Sequence, residues 1–308
     1  VTVLPVVSVL VMTYNHAEFI HQALESVLMQ QTSFPYEVLI SEDCSTDGTR
    51  AIVIEYQRRH PGCIRLLLSE RNIRNNTVVT RGIQAARGQY IALLDGDDYW
   101  TSPHKLQKQV GFLERHPACT LCFHNATVVD EDGARPPWNW TPADHPEITT
   151  LADLWMGNFI ATCSAMFRRG VFGEMPEWYI DLFPITDWPL HLLSAEGGQI
   201  GYINEVMGIY RYHSRGFYSP LSERGKQETT LKLYRTLNRN FGYKYDRLAK
   251  TGITKYFIEW AEEYLQRGER ERARACFKTA LTGRPLNQYV SLKRLLVLWL
   301  RLYRPPFL

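Results

Sequence analysis

The chain holds 308 residues, 45% apolar and 22% charged, a mix that can bury a sizeable core and excludes intrinsic disorder as the main state. Lys and Arg total 35 against 32 Asp and Glu, and this near balance of +3 excludes a protein built around gripping nucleic acid. Six cysteines, at 44, 63, 119, 122, 163 and 276, are too sparse for a disulfide framework and point to a reducing compartment. Val1 to Met12 is apolar without a basic leader and reads as a strand. Val7 to Met12 is a continuous apolar run, the pattern of a strand buried on both faces. Ile20, Ala23, Leu24, Val27 and Leu28 then recur at helical spacing. Tyr36 to Ser41 reads as a second strand and Thr49 to His60 as a helix, with Pro61-Gly62 ending it. Ile64 to Ser69, Asn76 to Ala86 and Tyr90 to Leu94 continue the alternation as strand, helix and strand. His104 to His116 reads as a helix and Thr120 to Val129 as a strand. Such alternation predicts an α/β fold with a mainly parallel sheet and helices on both faces.

Glu131 to Thr150, with four prolines and two tryptophans, reads as an irregular segment, either a lid or a surface crossover. A strand near Ala161 to Phe167, a helix near Trp188 to Ala195 and a strand near Ile200 to Tyr212 follow. Beyond about Ser219 the chain turns helical and basic. Ala261 to Gly268, followed by Ala273, Phe277, Ala280 and Pro285, resembles one tetratricopeptide-like hairpin. One such unit is too few for a solenoid, so it packs on the preceding domain or on a second chain. Leu292 to Leu302 sets leucines and Trp299 among Lys293, Arg294 and Arg301, with Arg304-Pro305-Pro306 ending the run. That composition suits a helix lying in a membrane interface, and equally one docked on its own protein. Cys119 and Cys122 form a lone C-x-x-C in a strand and read as structural thiols.

Open parallel sheets bind ligands beyond the carboxyl ends of their strands. Polar clusters fall at those ends: Thr13-Tyr14-Asn15, Glu42-Asp43-Cys44-Ser45, and Asp95-Gly96-Asp97-Asp98. Packed carboxylates repel one another, and a hard divalent cation relieves that cost while accepting phosphate oxygens. The acidic run can therefore hold an anionic diphosphate through Mg²⁺ or Mn²⁺; a solvated acidic turn is the plainer alternative.

Three stretches carry a family resemblance. Val7 to Asn15, Ile40 to Thr49 and Ala86 to Trp100 resemble the first strand, the second-strand acidic motif and the DXD strand of inverting family 2 glycosyltransferases with the GT-A fold. The resemblance implies that Thr13, Tyr14 and Asn15 line the nucleotide pocket and that Asp43 accepts the imino N–H of a uracil or thymine. It implies Asp95 and Gly96 at the ribose or donor sugar, and Asp97 on a metal bridging the diphosphate. Where many relatives carry an Arg-Asn pair, this chain has Val79 and Thr80; Asn72 and Arg81 are the compensating candidates for donor contact. An inverting transfer needs one protein base to deprotonate the acceptor hydroxyl. Asp187, ahead of Trp188-Pro189, matches the family's base, and an N-cap Asp is the alternative. Glu177, Asp181, Glu196 and Glu205 compete for the role, Asp181 most closely. Tyr210-Arg211-Tyr212-His213 is similar to the family's Y-R-x-H element, which implies His213 as a further metal ligand, a surface His at a strand end being the alternative; Arg211 is a diphosphate clamp or a strand-face cation. Trp188 is the candidate to stack on an acceptor sugar. Segments 131–150 and 214–219 are expected to close over bound donor.

These readings lead to a catalytic domain over 1–218, with a donor half 1–130 and an acceptor half 131–218, and a helical region over 219–308. The expected partners are a nucleoside-diphosphate sugar, UDP or dTDP favoured, and a glycan or lipid-linked acceptor. A peripheral membrane contact through 292–304, a homodimer and a cytoplasmic location complete the expectation. A sugar nucleotidylyltransferase needs a glycine-rich basic loop after the first strand, which Thr13-Tyr14-Asn15-His16 does not provide. A catalytically silent scaffold binding through its helical tail is the other rival.

Overall fold

A computed structural model describes residues 4–218, 220–284, 286 and 289–303. The expectations that touch Val1, Ser219, Pro285 and Arg304-Pro305-Pro306 lie outside the described residues. The chain divides into two compact units: residues up to Leu154 with Asn158–Glu223, and Trp155–Gly157 with the chain from Arg224 onward.

The first unit alternates as β1 (Val7–Thr13), α1 (Ile20–Leu28), β2 (Tyr36–Glu42), α2 (Thr49–Arg59), β3 (Ile64–Leu68), α3 (Thr77–Ala85) and β4 (Tyr90–Asp95). β5 (Tyr99–Trp100), α4 (Lys105–Arg115), β6 (Cys119–Asp130), β7 (Trp138–Asn139), β8 (Ile148–Thr149) and α5 (Leu151–Leu154) follow. β9 (Met166–Arg168), α6 (Glu177–Ile180), α7 (Asp187–Ala195) and β10 (Gln199–Tyr212) complete it. The sheet order is β3-β2-β1-β4-β9-β6-β10-β5, with β7 beside β6 and β8 beside β10. β1 runs parallel to both β2 and β4, β2 to β3, and β6 to β10; β9 enters antiparallel between β4 and β6. Every residue of β1 is buried, as its unbroken apolar run requires of a strand covered on both faces. α1 turns Ile20, Ala23, Leu24 and Val27 into that core, the i, i+3, i+4, i+7 set of a single helical face.

Two expectations change. The strand placed over Ala161 to Phe167 is a short 3₁₀ turn, Thr162–Ser164, followed by the three residues of β9. Ser164 causes the break: its Oγ donates to the Ala161 carbonyl at 2.7 Å, a local bond that competes with a sheet ladder. The segment 131–150 is pinned rather than free, because β7 pairs with β6, β8 pairs with β10, and Asn125 Nδ2 donates to the Thr141 carbonyl at 2.9 Å. That anchoring makes it a crossover held to the sheet. All six cysteines are free thiols.

The second unit contains α8 (Glu223–Asn240) from Arg224 on, α9 (Asp246–Gln266), α10 (Arg270–Leu281) and α11 (Leu292–Tyr303). α9 and α10 form the anticipated hairpin, turning at Gly268, whose φ of +81° suits a residue without a Cβ. Phe257, Ile258, Ala261, Tyr264, Ala273 and Phe277 make its core, joined by Leu295, Leu298 and Leu302 of α11. The tripeptide Trp155–Gly157 also belongs here: Trp155 is fully buried, and its carbonyl accepts the Tyr234 hydroxyl at 2.7 Å. No helix among the described residues is long and apolar enough to cross a membrane.

Candidate active site

The parallel register brings the polar strand ends together. Thr13 pairs with Glu42 across β1 and β2, and Met12 pairs with Asp95 across β1 and β4. One edge of the sheet therefore carries all three polar clusters, as the strand-end rule anticipates.

Gly96 lets the acidic run approach the end of β1. A Cβ there would sit 2.6 Å from Thr13 Oγ1 and 2.8 Å from His16 Nδ1, too close for any side chain. Beyond it, Asp97 Oδ2 lies 3.1 Å from His213 Nε2 and 3.4 Å from His16 Nε2. Burial would raise the Asp97 pKa, but the two imidazoles outweigh it and the net shift is downward, so the carboxylate stays ionised. Its neighbours shift the other way: burial first, then the charges of Asp97 and Asp187, push Asp95 well above the usual range. Burial, Asp97 and Asp95 do the same to Asp98. Desolvation lowers the pKa of His16, against the pull of Asp97.

Asp97, His16 and His213 come from three distant stretches of chain. His16 is the residue that sequence reading missed as a site member. Its signal was its place three residues beyond Thr13, whose Oγ1 lies 3.3 Å from His16 Nδ1.

Arg211 has a different place from a diphosphate clamp. Its guanidinium reaches Glu131 Oε1 at 2.8 Å, the Asp97 carbonyl and Gln22 Oε1, between the rings of Phe19 and Tyr99. Its backbone N–H donates to Asp98 Oδ1 at 2.8 Å. With its donors so engaged and the side chain buried, Arg211 shapes the acidic run from behind.

Asp43 is buried and accepts the Ser69 hydroxyl at 3.0 Å and the Ile73 N–H at 2.9 Å on Oδ1, with the Arg74 N–H at 3.3 Å on Oδ2. It fastens segment 69–74 to the end of β2. Arg81 makes the same junction rigid, donating to Ser41 Oγ, Ser69 Oγ and the Glu42 carbonyl at 2.7–2.9 Å. Burial lowers its pKa, against the raising effect of Asp43 and Glu42. Asn72 Oδ1 accepts the Arg74 N–H at 3.1 Å, while its buried Nδ2 has no partner among the described residues. Asn15, at φ +55°, staples β1 to the loop after β2: its N–H donates to Ser45 Oγ, and its Oδ1 accepts the Thr46 N–H at 2.8 Å. Tyr14 is half-buried and stacks on Phe217, with ring centroids 5.9 Å apart.

Asp187 opens α7, and its two carboxylate oxygens accept the Trp188 N–H and Asn158 Nδ2, each at 2.7 Å. Burial raises its pKa; these two hydrogen bonds pull it partway back. Its charge acts on Asp95, so α7 brings it to the acidic edge. Trp188 is a core residue: 6% exposed, with its indole N–H on the Leu154 carbonyl at 2.9 Å. The open stacking surface expected of it is absent, because packing the ring under α7 satisfies both its apolar face and its one donor. Of the rival carboxylates, Glu205 is tied to Lys108 at 2.6 Å, Glu196 ends α7, and Glu177 and Asp181 flank the short helix α6.

No group of three or more His, Cys, Asp or Glu side chains among the described residues is arranged to hold a metal ion alone. A carboxylate and an imidazole meeting at one point, Asp97 and His213, nevertheless match the donor preference of Mn²⁺. Mg²⁺ and Mn²⁺ of this kind take one or two protein ligands and complete the shell with substrate phosphates and water. On donor chemistry the residues fit such a cation.

The sheet order, with its acidic run at the carboxyl edge, defines a GT-A-like architecture. The profile of glycosyl transferase family 2 matches residues 8–175, more than half of the chain, and the chain belongs to that family. It is 40% identical over 225 residues to the uncharacterized protein Rv1520 of Mycobacterium tuberculosis, a match covering 71% of this chain and 62% of that protein. The chain thus spans about three-fifths of the length of that relative. Residues 1–349 of S. aureus TarS in complex with UDP-GlcNAc share its fold at 17% identity, with a TM-score of 0.62 over 89% of this chain and 81% of that one. The mannosyltransferase PcManGT of Pyrobaculum calidifontis in complex with GDP-Man and Mn²⁺ is similar at 18% identity and a TM-score of 0.56, over 97% and 79%. Both likenesses concern the fold.

Proposed function

We propose that this chain is a metal-dependent inverting glycosyltransferase that moves a sugar from a nucleoside diphosphate to a hydroxyl of a glycan or lipid-linked acceptor. The observation that carries the proposal is the meeting, at one sheet edge, of an ionised Asp97 with His213 and a separate, raised-pKa carboxylate, Asp187. The two carboxylates have opposite environments, which is the pattern expected when two acids have different tasks.

Asp97 and His213 would hold the divalent cation, which supplies positive charge to the departing diphosphate. Asp187 would take the proton of the acceptor hydroxyl as that oxygen attacks the anomeric carbon from the face opposite the leaving group. The C–O bond to the acceptor forms as the bond to the diphosphate breaks, which inverts the centre. A raised pKa suits that base, since it strengthens the carboxylate's affinity for the proton it must accept. Asn158 and the Trp188 N–H aim the carboxylate. Asp95, held neutral more easily than Asp97, is placed to hydrogen-bond ribose or sugar hydroxyls as donor or acceptor. Arg211 and Gly96 position the acidic run, while Arg81 and Asn15 position the loops around the nucleotide. Asp43, whose carboxylate can only accept when ionised, favours a uracil or thymine ring that offers an imino N–H.

The test is nucleotide release by the purified chain against UDP-, dTDP-, GDP- and CMP-sugars (a diphosphate from the first three, CMP from the last) with Mn²⁺, Mg²⁺ or chelator. Release that needs the cation is expected, most readily from UDP- or dTDP-sugars. Asp187→Asn should retain thermal stabilisation by donor plus Mn²⁺ and lose transfer. Full turnover by that variant assigns the base elsewhere, and failure of every donor to stabilise the wild type favours a silent scaffold.

A further inference from the structure

Among the described residues, the second unit's last helix, α11, has three distinct faces. Leu295, Leu298 and Leu302 of α11 are buried in the unit's core. Arg274 secures the far end by donating to the Leu302 carbonyl at 2.9 Å. A second row, Leu292, Leu296, Trp299 and Tyr303 at i, i+4, i+7 and i+11, stays open: these side chains are 67%, 54%, 48% and 38% exposed. Trp299 and Tyr303 lie against each other, with ring centroids 5.7 Å apart. A third row, Lys293, Val297 and Arg301, lines a groove with Ser291, Arg294 and Glu262. Arg294 Nε and Nη2 donate to the two carboxylate oxygens of Glu262, at 2.9 and 2.6 Å. That pairing neutralises the groove's one carboxylate, whereas Lys293 and Arg301 have no carboxylate partner among the described residues. α11 itself carries no acidic residue.

We infer that α11 is an interfacial helix that docks the protein on an anionic lipid bilayer. An apolar row this exposed is unusual for a surface in water alone. Leucine with tryptophan and tyrosine is the composition that settles at the boundary of headgroups and acyl chains. Lys293, three residues from Leu296, borders the apolar row and Arg301 lies further round the helix; their long stems let both cations reach lipid phosphates while Leu296 and Trp299 enter the acyl boundary. Charge complementarity selects the occupant: a second copy of this chain would bring the same uncompensated cations to the contact, whereas an anionic membrane neutralises them. This inference is independent of the transferase reading.

The experiment is co-sedimentation of the whole chain with vesicles of equal parts phosphatidylglycerol and phosphatidylcholine, against vesicles of phosphatidylcholine alone. Binding is expected to the anionic vesicles and to fade at high salt. Neutralising either Lys293 or Arg301 to Gln should cut partitioning about five-fold, the equivalent of about 1 kcal/mol per cation. Leu296→Ser with Trp299→Ser should cut it at least about ten-fold. All four positions are exposed, so circular dichroism and melting temperature should match the wild type. Equal binding to both vesicle types, indifference to these variants, or a concentration-dependent dimer that the serine pair abolishes would each overturn the assignment. The dimer result would make the apolar row a self-association surface.

Discussion

Asn158→Ala isolates how the proposed base is tuned. The side-chain amide donates to Asp187 Oδ2 at 2.7 Å, and the Trp188 N–H supports Oδ1. A hydrogen bond to a charged partner contributes about 1.5–3 kcal/mol. This one favours the ionised carboxylate, opposing the burial that raises the Asp187 pKa. Removing it raises the pKa further, so the acid limb of the pH–rate profile moves to higher pH. On that limb kcat/KM should fall by about 10-fold to 150-fold, since about 1.4 kcal/mol is tenfold. Well above the limb the two proteins should converge, because both bases are then ionised. The assay is nucleoside-diphosphate release from a saturating donor with Mn²⁺, measured from about pH 4 to about pH 9. An equal loss at every pH would mean that Asn158 positions substrate and does not tune the base; an unmoved profile would remove Asp187 from proton transfer.

Three further outcomes follow from the site geometry. Asp97→Asn should abolish the joint stabilisation by nucleotide sugar and Mn²⁺ in a thermal-shift assay, while the melting temperature without ligand changes little. Gly96→Ala forces a methyl against Thr13 and His16 and should cost about 1–3 kcal/mol, seen as a drop of roughly 2–12 °C in melting temperature together with weaker Mn²⁺ binding. Arg211→Lys keeps the charge but cannot span Glu131, Gln22 and the Asp97 carbonyl at once; urea unfolding should show a loss of about 2–3 kcal/mol, with Mn²⁺ affinity reduced. Wild-type stability in that variant would mean that the Arg211 contacts are individually dispensable.

The amino-acid sequence by itself determined the alternation of strands and helices through residue 130, because a fully buried strand and a one-sided helix have periods that can be read directly. Val7–Met12 and the Ile20 to Val27 set show this, their ends lying within a residue or two of β1 and α1. The acidic run was equally legible, since three aspartates after an apolar strand have few uses. Only the tertiary structure decided what those residues touch. His16 and His213, nearly 200 positions apart, meet on one oxygen of Asp97. Arg211, which reads from sequence as a donor clamp, spends its guanidinium behind the site, and Trp188 fills the core. Trp155–Gly157 joins a unit otherwise built from the chain's last third. The physical reason is common to all four. Periodicity is a local property, set by the backbone and by which face meets the core, whereas a partner for a buried ring, cation or imidazole is chosen by packing and desolvation among segments far apart in the chain.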